Sequence, residues 1–136
     1  MNKYTSQPHI QLGLIVILLV TLSSCIPGSK EYGSIEGQVN IGPLQPAVQV
    51  GVEQPTPHPE VYAAREIVVY KKNGKTEFTR LGIDPTGRYH GKLPVGVYVI
   101  DINRLGIDSA DNLPMKITIT ADRIFTLDIN IDTGIR

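Results

Sequence analysis

The chain has 136 residues, 41% of them hydrophobic and 6% aromatic, and its 13 basic residues balance 13 acidic ones. That length suits one domain with its own core, and the even charge supplies no basic stripe for a nucleic-acid partner. A single cysteine, Cys25, excludes an internal disulfide.

In chain order, residues 1–9 are polar and carry one basic side chain, Lys3. Residues 10–22 are apolar apart from Gln11, Gly13 and Thr21. As a helix they cover roughly 20 Å, short of the ~30 Å hydrocarbon layer of a bilayer. A charged start, a short apolar middle and a small-residue exit make the layout of an export signal. Leu22, Ser23 and Ser24 stand directly before Cys25 and resemble the bacterial lipobox. The resemblance implies a diacylglyceryl group on the Cys25 sulfur, cleavage after Ser24 and acylation of the freed amine. Each buried methylene contributes about 0.8 kcal/mol, so two or three chains hold durably where one does not. An ordinary signal peptide with an incidental cysteine and an uncleaved anchor are the alternatives. Loss of Lys3 would leave residues 25–136 with a net charge near −1. Ile26 stands where aspartate usually marks retention on an inner membrane, so the expected destination is the outer membrane.

Residues 25–33 read as a tether. Beyond them come short runs of Val, Ile, Tyr and Thr with two-residue alternation, broken by Gly, Pro, Asn and Asp. Strands are expected at 34–40, 66–72, 75–81, 88–93, 97–103, 115–120 and 124–131, which suits a sandwich. Asn73-Gly74 predicts a two-residue type I′ hairpin pairing Val69 with Phe78 and Val68 with Thr79. In residues 97–103, Tyr98, Ile100 and Ile102 share one face, while Val97 and Val99 extend the apolar surface to the other. That pattern predicts a central strand. The last two strands read as a hairpin with an odd loop, Ala121-Asp122-Arg123. It keeps Ile119 with Phe125, Ile117 with Leu127 and Met115 with Ile129 on one face, and sets Lys116 against Asp128. Residues 41–60 hold five prolines and read as a loop or edge excursion, with a possible edge strand at 47–53.

"SIEGQV", "IDPTGRYHGKLPVGVYVIDI" and a closing apolar strand resemble the carboxypeptidase regulatory-like domains of the transthyretin-like (prealbumin-like) fold. The shared turns are Asp84-x-x-Gly87-x-Tyr89 and Leu93-Pro94-x-Gly96-x-Tyr98. Gly87 and Gly96 suit turn geometry that a Cβ obstructs, and Pro94 presets φ. The expected architecture is all-β: a seven-stranded antiparallel Greek-key sandwich over residues 34–136, behind a signal at 1–24. The pattern says much about fold and little about function.

Few residues offer chemistry. His58 lies between prolines, His90 lies in a strand, and the two read as unrelated solvated imidazoles. No Gly-x-Ser-x-Gly elbow is present, and Ser109 has no evident base. The acidic stretch 101–112 lacks the alternate-residue spacing of a calcium loop and reads as a polar turn. An isopeptide bond would need Lys71, Asn130 and Glu66 buried together, whereas all three read as exposed. The ladder Thr126, Asp128, Asn130 and Asp132, beside Lys116, Thr118 and Thr120, reads as a solvated face, with sugar contact as its alternative. The expectation is therefore a non-enzymatic envelope lipoprotein without cofactor or metal. It would be anchored to a membrane through Cys25 and meet an envelope protein partner through residues 42–60 or a sheet edge. The alternative is a glycan- or peptidoglycan-binding module.

Overall fold

The computed structural model describes residues 28–46, 51 and 55–135. The readings of Leu22, Ser23, Ser24 and Cys25, and of a strand at 47–53 save for Gly51, lie outside them. The described chain is mostly strand, in two sheets that pack as a sandwich. β1 (Tyr32–Gly42) is the spine of the first sheet. It pairs antiparallel with β4 (Arg88–Pro94) on one side, and parallel with β7 (Ile124–Thr126) and β8 (Ile129–Asp132) on the other. The second sheet runs β3 (Glu77–Gly82), β2 (Glu66–Lys71), β5 (Gly96–Ile102), β6 (Met115–Ile119). A short helix, α1 (Pro59–Ala63), precedes β2.

Alternation decides what each strand buries. Along β1, Ile35, Val39 and Ile41 point inward, while Glu36 and Asn40 point to solvent. Ile67 and Val69 of β2, Ile100 of β5 and Ile129 of β8 complete a core with no exposed surface at those positions. β5 is central, as its doubly apolar pattern predicts.

The final hairpin does not form. β6 pairs with β5, whereas β7 joins β1 in the opposite sheet. The expected faces hold, since Ile117, Ile119, Leu127, Ile129 and Ile131 are all buried. Their partnership does not, because apolar strands can face each other across a core as well as lie side by side. Residues 120–123 are a corner between sheets, with Asp122 at a φ of 54°. The Asp122 N–H donates to the Tyr32 carbonyl and the Ser34 N–H to the Arg123 carbonyl, so the corner is anchored on β1. The crossing runs β7 in the direction of β1, which makes the first sheet mixed rather than antiparallel. It also separates Lys116 from Asp128, so their expected pair is absent.

Three further features depart from expectation. The strand read at 124–131 is interrupted at Leu127-Asp128, giving eight strands instead of seven among the described residues. At the β2–β3 turn only Gly74 has positive φ, so no type I′ turn forms. Asn73 instead accepts the Lys75 and Thr76 N–H groups through its side chain. The longer loop moves Val69 opposite Thr79 and Val68 opposite Arg80. The helix α1 is too short for periodicity to reveal, although Pro59 at its start and Glu60 in its first turn are a helix-opening signal.

Candidate interaction face

The chemistry-bearing side chains singled out by sequence are scattered. His58 flanks α1, while His90 sits on β4 opposite Glu36, and both are exposed. No group of three or more His, Cys, Asp or Glu among the described residues is placed to hold a metal ion. Lys71 and Glu66 lie at opposite ends of β2, roughly 17 Å apart along the strand, while Asn130 is in the other sheet and accepts from Asn40. That trio cannot form an isopeptide bond. In the 101–112 stretch, Asp101 accepts from Ile102 N–H and Arg104, and both Asp108 oxygens accept from Arg65. The polar ladder is split between sheets: Thr126 and Asn130 belong to the first, with Asp128 at the interruption between them, and Lys116 and Thr118 to the second.

What the fold does bring together is a polar surface on the outside of the first sheet. Register places His90, Glu36 and Thr126 in one row, and Arg88 and Gln38 beside Asp128 in the next. Between them and Asp84 lies a groove of about 410 Å³. A second groove of about 410 Å³ continues along the same strands past Asn40, Asn130 and Asp111. This face offers both signs of charge, amides and hydroxyls, which suits contact with a polar partner.

The floor of the first groove has an unusual construction. Between β7 and β8 the Gln38 N–H donates to Asp128 Oδ1 at 2.8 Å, so a side chain stands in for a backbone carbonyl. The Leu127 carbonyl is left to turn inward, where it accepts the Tyr89 hydroxyl at 2.6 Å. Tyr89 reaches it from β4 by passing beneath Gly37, which lies between them on β1. The Leu127 N–H donates to the Glu36 carbonyl and the Asp128 carbonyl accepts from the Asn112 amide, so these backbone groups at the interruption keep partners. Burial, and then the Asp128 carboxylate, push the Tyr89 phenol well above its usual range. Tyr89→Phe is expected to lose about 1–3 kcal/mol of stability by orphaning the Leu127 carbonyl. A phenol whose native pKa is raised stabilises fully below pH ~10, and that contribution is lost as pH rises further. Denaturant titrations from pH 8 to 12 should therefore show a shallower alkaline decline for the variant.

Of the two turns in the family resemblance, the one at Asp84–Tyr89 borders this face. Asp84 Oδ1 accepts from the Thr86 hydroxyl and from the Thr86 and Arg88 N–H groups, and these bonds, the Thr86 hydroxyl's first, hold its carboxyl below the usual range. Gly87 has a φ of 82°, and a Cβ there would lie 2.6 Å from Gln38 Nε2 and 2.9 Å from the Tyr62 ring of α1. At the other turn, the Tyr98 hydroxyl donates to the Pro94 carbonyl at 3.0 Å. Gly96 has no such constraint, since a Cβ there meets only the Tyr98 ring at ordinary contact distance. Sequence reasoning missed the Arg65–Asp108 pair, whose members stand 43 positions apart with no local signal.

No family model matches the chain, and no match is found among curated proteins. Solved structures share its fold. The minor pilin GBS52 of Streptococcus agalactiae is similar at a TM-score of 0.51 and 18% identity, over 76% of this chain and 45% of that one. The Bacillus anthracis TIE protein gives 0.48 and 12%, over 75% and 16% of the two chains. A DUF3823 family protein from Parabacteroides merdae gives 0.45 and 13%, over 75% and 46%. The chain thus spans less than half the length of each.

Proposed function

We propose that this chain is a non-enzymatic envelope lipoprotein. In this reading residues 1–24 are a cleaved signal, Cys25 carries the lipid, and 25–33 are the tether. Residues 34–136 are a transthyretin-like sandwich of the carboxypeptidase regulatory-like kind, acting as a structural or accessory interaction module. The observation that carries it is the apolar run ending in Leu22-Ser23-Ser24-Cys25, followed at once by a polar spacer and a strand-rich domain. No helix among the described residues is long and apolar enough to cross a membrane. The likeness to a pilin subunit is one of fold, and a role at the cell surface is part of this proposal. Ile26 favours the outer membrane. The polar grooves of the first sheet and the edges of β6 and β7, each paired on one side only, are the surfaces offered to an envelope protein.

Labelled palmitate is expected to enter the native chain and not Cys25→Ser, which should also lose membrane association. A native chain that takes up no label would overturn the reading. The second reading, a glycan-binding module, is favoured by the hydroxyl, amide and carboxyl groups of Thr126, Asp128, Asn130, Gln38 and Asn40 on one face. A glycan array without binding removes it.

A further inference from the structure

We infer that the end of the sandwich from which the tether leaves is itself a membrane-contacting surface for anionic phospholipid. This inference rests on the lipid-anchor reading above. Register shows which residues share that end: Tyr32 lies opposite Pro94, Lys71 opposite Tyr98, Gly96 opposite Ile119 and Ser34 opposite Ile124. The starts of β1, β3, β5 and β7 and the ends of β2, β4 and β6 therefore gather there. From Cys25 to Tyr32 the chain advances seven residues, which span at most roughly 25 Å. An acylated Cys25 therefore keeps this end within about 25 Å of the lipid.

The composition of the two ends differs in the way such an arrangement requires. Lys30, Lys71, Lys72, Lys75, Lys92 and Arg123 lie at the tether end. Against them stand Glu31, Asp122 and Glu77, the last already paired with Arg80. Among the described residues, no ion pair engages any of those five lysines. Carboxylates collect at the opposite end, where Asp101 pairs with Arg104 and Asp108 with Arg65, and where Asp111 and Asp132 also lie. Tyr32, Phe78, Val95 and Ile124, four of the six exposed large hydrophobics among the described residues, also belong to the tether end. Ile124 is 63% exposed, and Lys92 Nζ lies 5.3 Å from the centre of the Tyr32 ring. Exposed aromatic and aliphatic side chains that share one end with lysines suit the headgroup boundary of an anionic bilayer, where basic residues gain electrostatically and apolar ones by partial burial.

The chain has no tryptophan, so a single reporter can be placed at either end. The acylated chain carrying Ile124→Trp or Ile107→Trp would be reconstituted in vesicles of phosphatidylethanolamine with phosphatidylglycerol, including brominated lipid. Ile107 is exposed at the opposite end. Bromolipid is expected to quench the Ile124→Trp reporter and to leave the Ile107→Trp reporter unquenched. The difference should shrink in pure phosphatidylcholine, in high salt, and with Lys72, Lys75 and Lys92 changed to Glu. In the unmutated chain, tryptic cleavage within residues 71–75 should slow roughly tenfold on the anionic vesicles relative to detergent. Equal quenching of both reporters overturns the inference. So does an Ile124→Trp reporter shielded from acrylamide yet unquenched by lipid, which would mean that protein covers this end. Palmitate uptake separates the two readings. Label with equal quenching sinks the surface and keeps the anchor, whereas no label with selective quenching on added vesicles keeps the surface and sinks the anchor.

Discussion

Gly37→Ala is expected to destabilise the protein by about 3 kcal/mol or more, a large share of the 5–15 kcal/mol that holds a small domain together. A Cβ at this position would lie 1.9 Å from the Leu127 carbonyl oxygen and 3.0 Å from the Tyr89 ring. The oxygen is backbone and cannot step aside as a flexible side chain could. Relief requires β7 and β8 to move away from β1, and that motion breaks both the Tyr89–Leu127 bond and the Gln38–Asp128 bond. Chemical denaturation with a control at Gly82, where an added Cβ meets nothing within 4 Å, would isolate the effect. Gly82→Ala should stay within about 0.5 kcal/mol of the native chain. The double variant Gly37→Ala/Tyr89→Phe should lose less than the sum of its parts, because both changes damage one contact. A Gly37→Ala protein of native stability would show that the Tyr89 bridge is not what shapes the groove floor.

The second large effect is expected at the opposite end. Asp108→Ala should cost about 3–5 kcal/mol, because it strands a guanidinium whose side chain is only 12% exposed. In the native chain Arg65 donates to both Asp108 oxygens, at 2.8 and 3.2 Å, and to the Val61 carbonyl of α1. Asp108 lies in the segment between β5 and β6, whose Ser109 exchanges two backbone bonds with Asp132 of β8. One ion pair thus ties the helix to the segment that covers the β8 edge. Removing it should raise hydrogen exchange at Ser109 and Asp132 before it affects the β2–β5 ladder. An apolar pair such as Arg65→Met/Asp108→Leu should recover most of the loss, since breaking a buried pair costs far more than replacing it. The exposed Arg80 contacts with Glu66 and Glu77 should respond weakly and only at low salt. If Asp108→Ala changed stability no more than an exposed carboxylate does, the segment would be held by its backbone bonds alone.

Residue patterning by itself determined the strand-rich class, the inward faces of the last three strands it read, the central place of β5 and the two turns around Gly87 and Pro94. Those features follow from short-range rules, since side chains alternate every residue and a turn needs only its own few backbone angles. Tertiary structure alone decided that β6 and β7 face each other across the core, and that β7 and β8 run parallel to β1. It also decided that Tyr89 crosses beneath Gly37 and that Arg65 finds Asp108. Burying an apolar face satisfies alternation equally well within a sheet or between sheets, so the choice rests on contacts between distant residues that no local window contains. The gathering of lysines and exposed apolar side chains at the tether end has the same origin, because strand direction places residues far apart in the chain side by side.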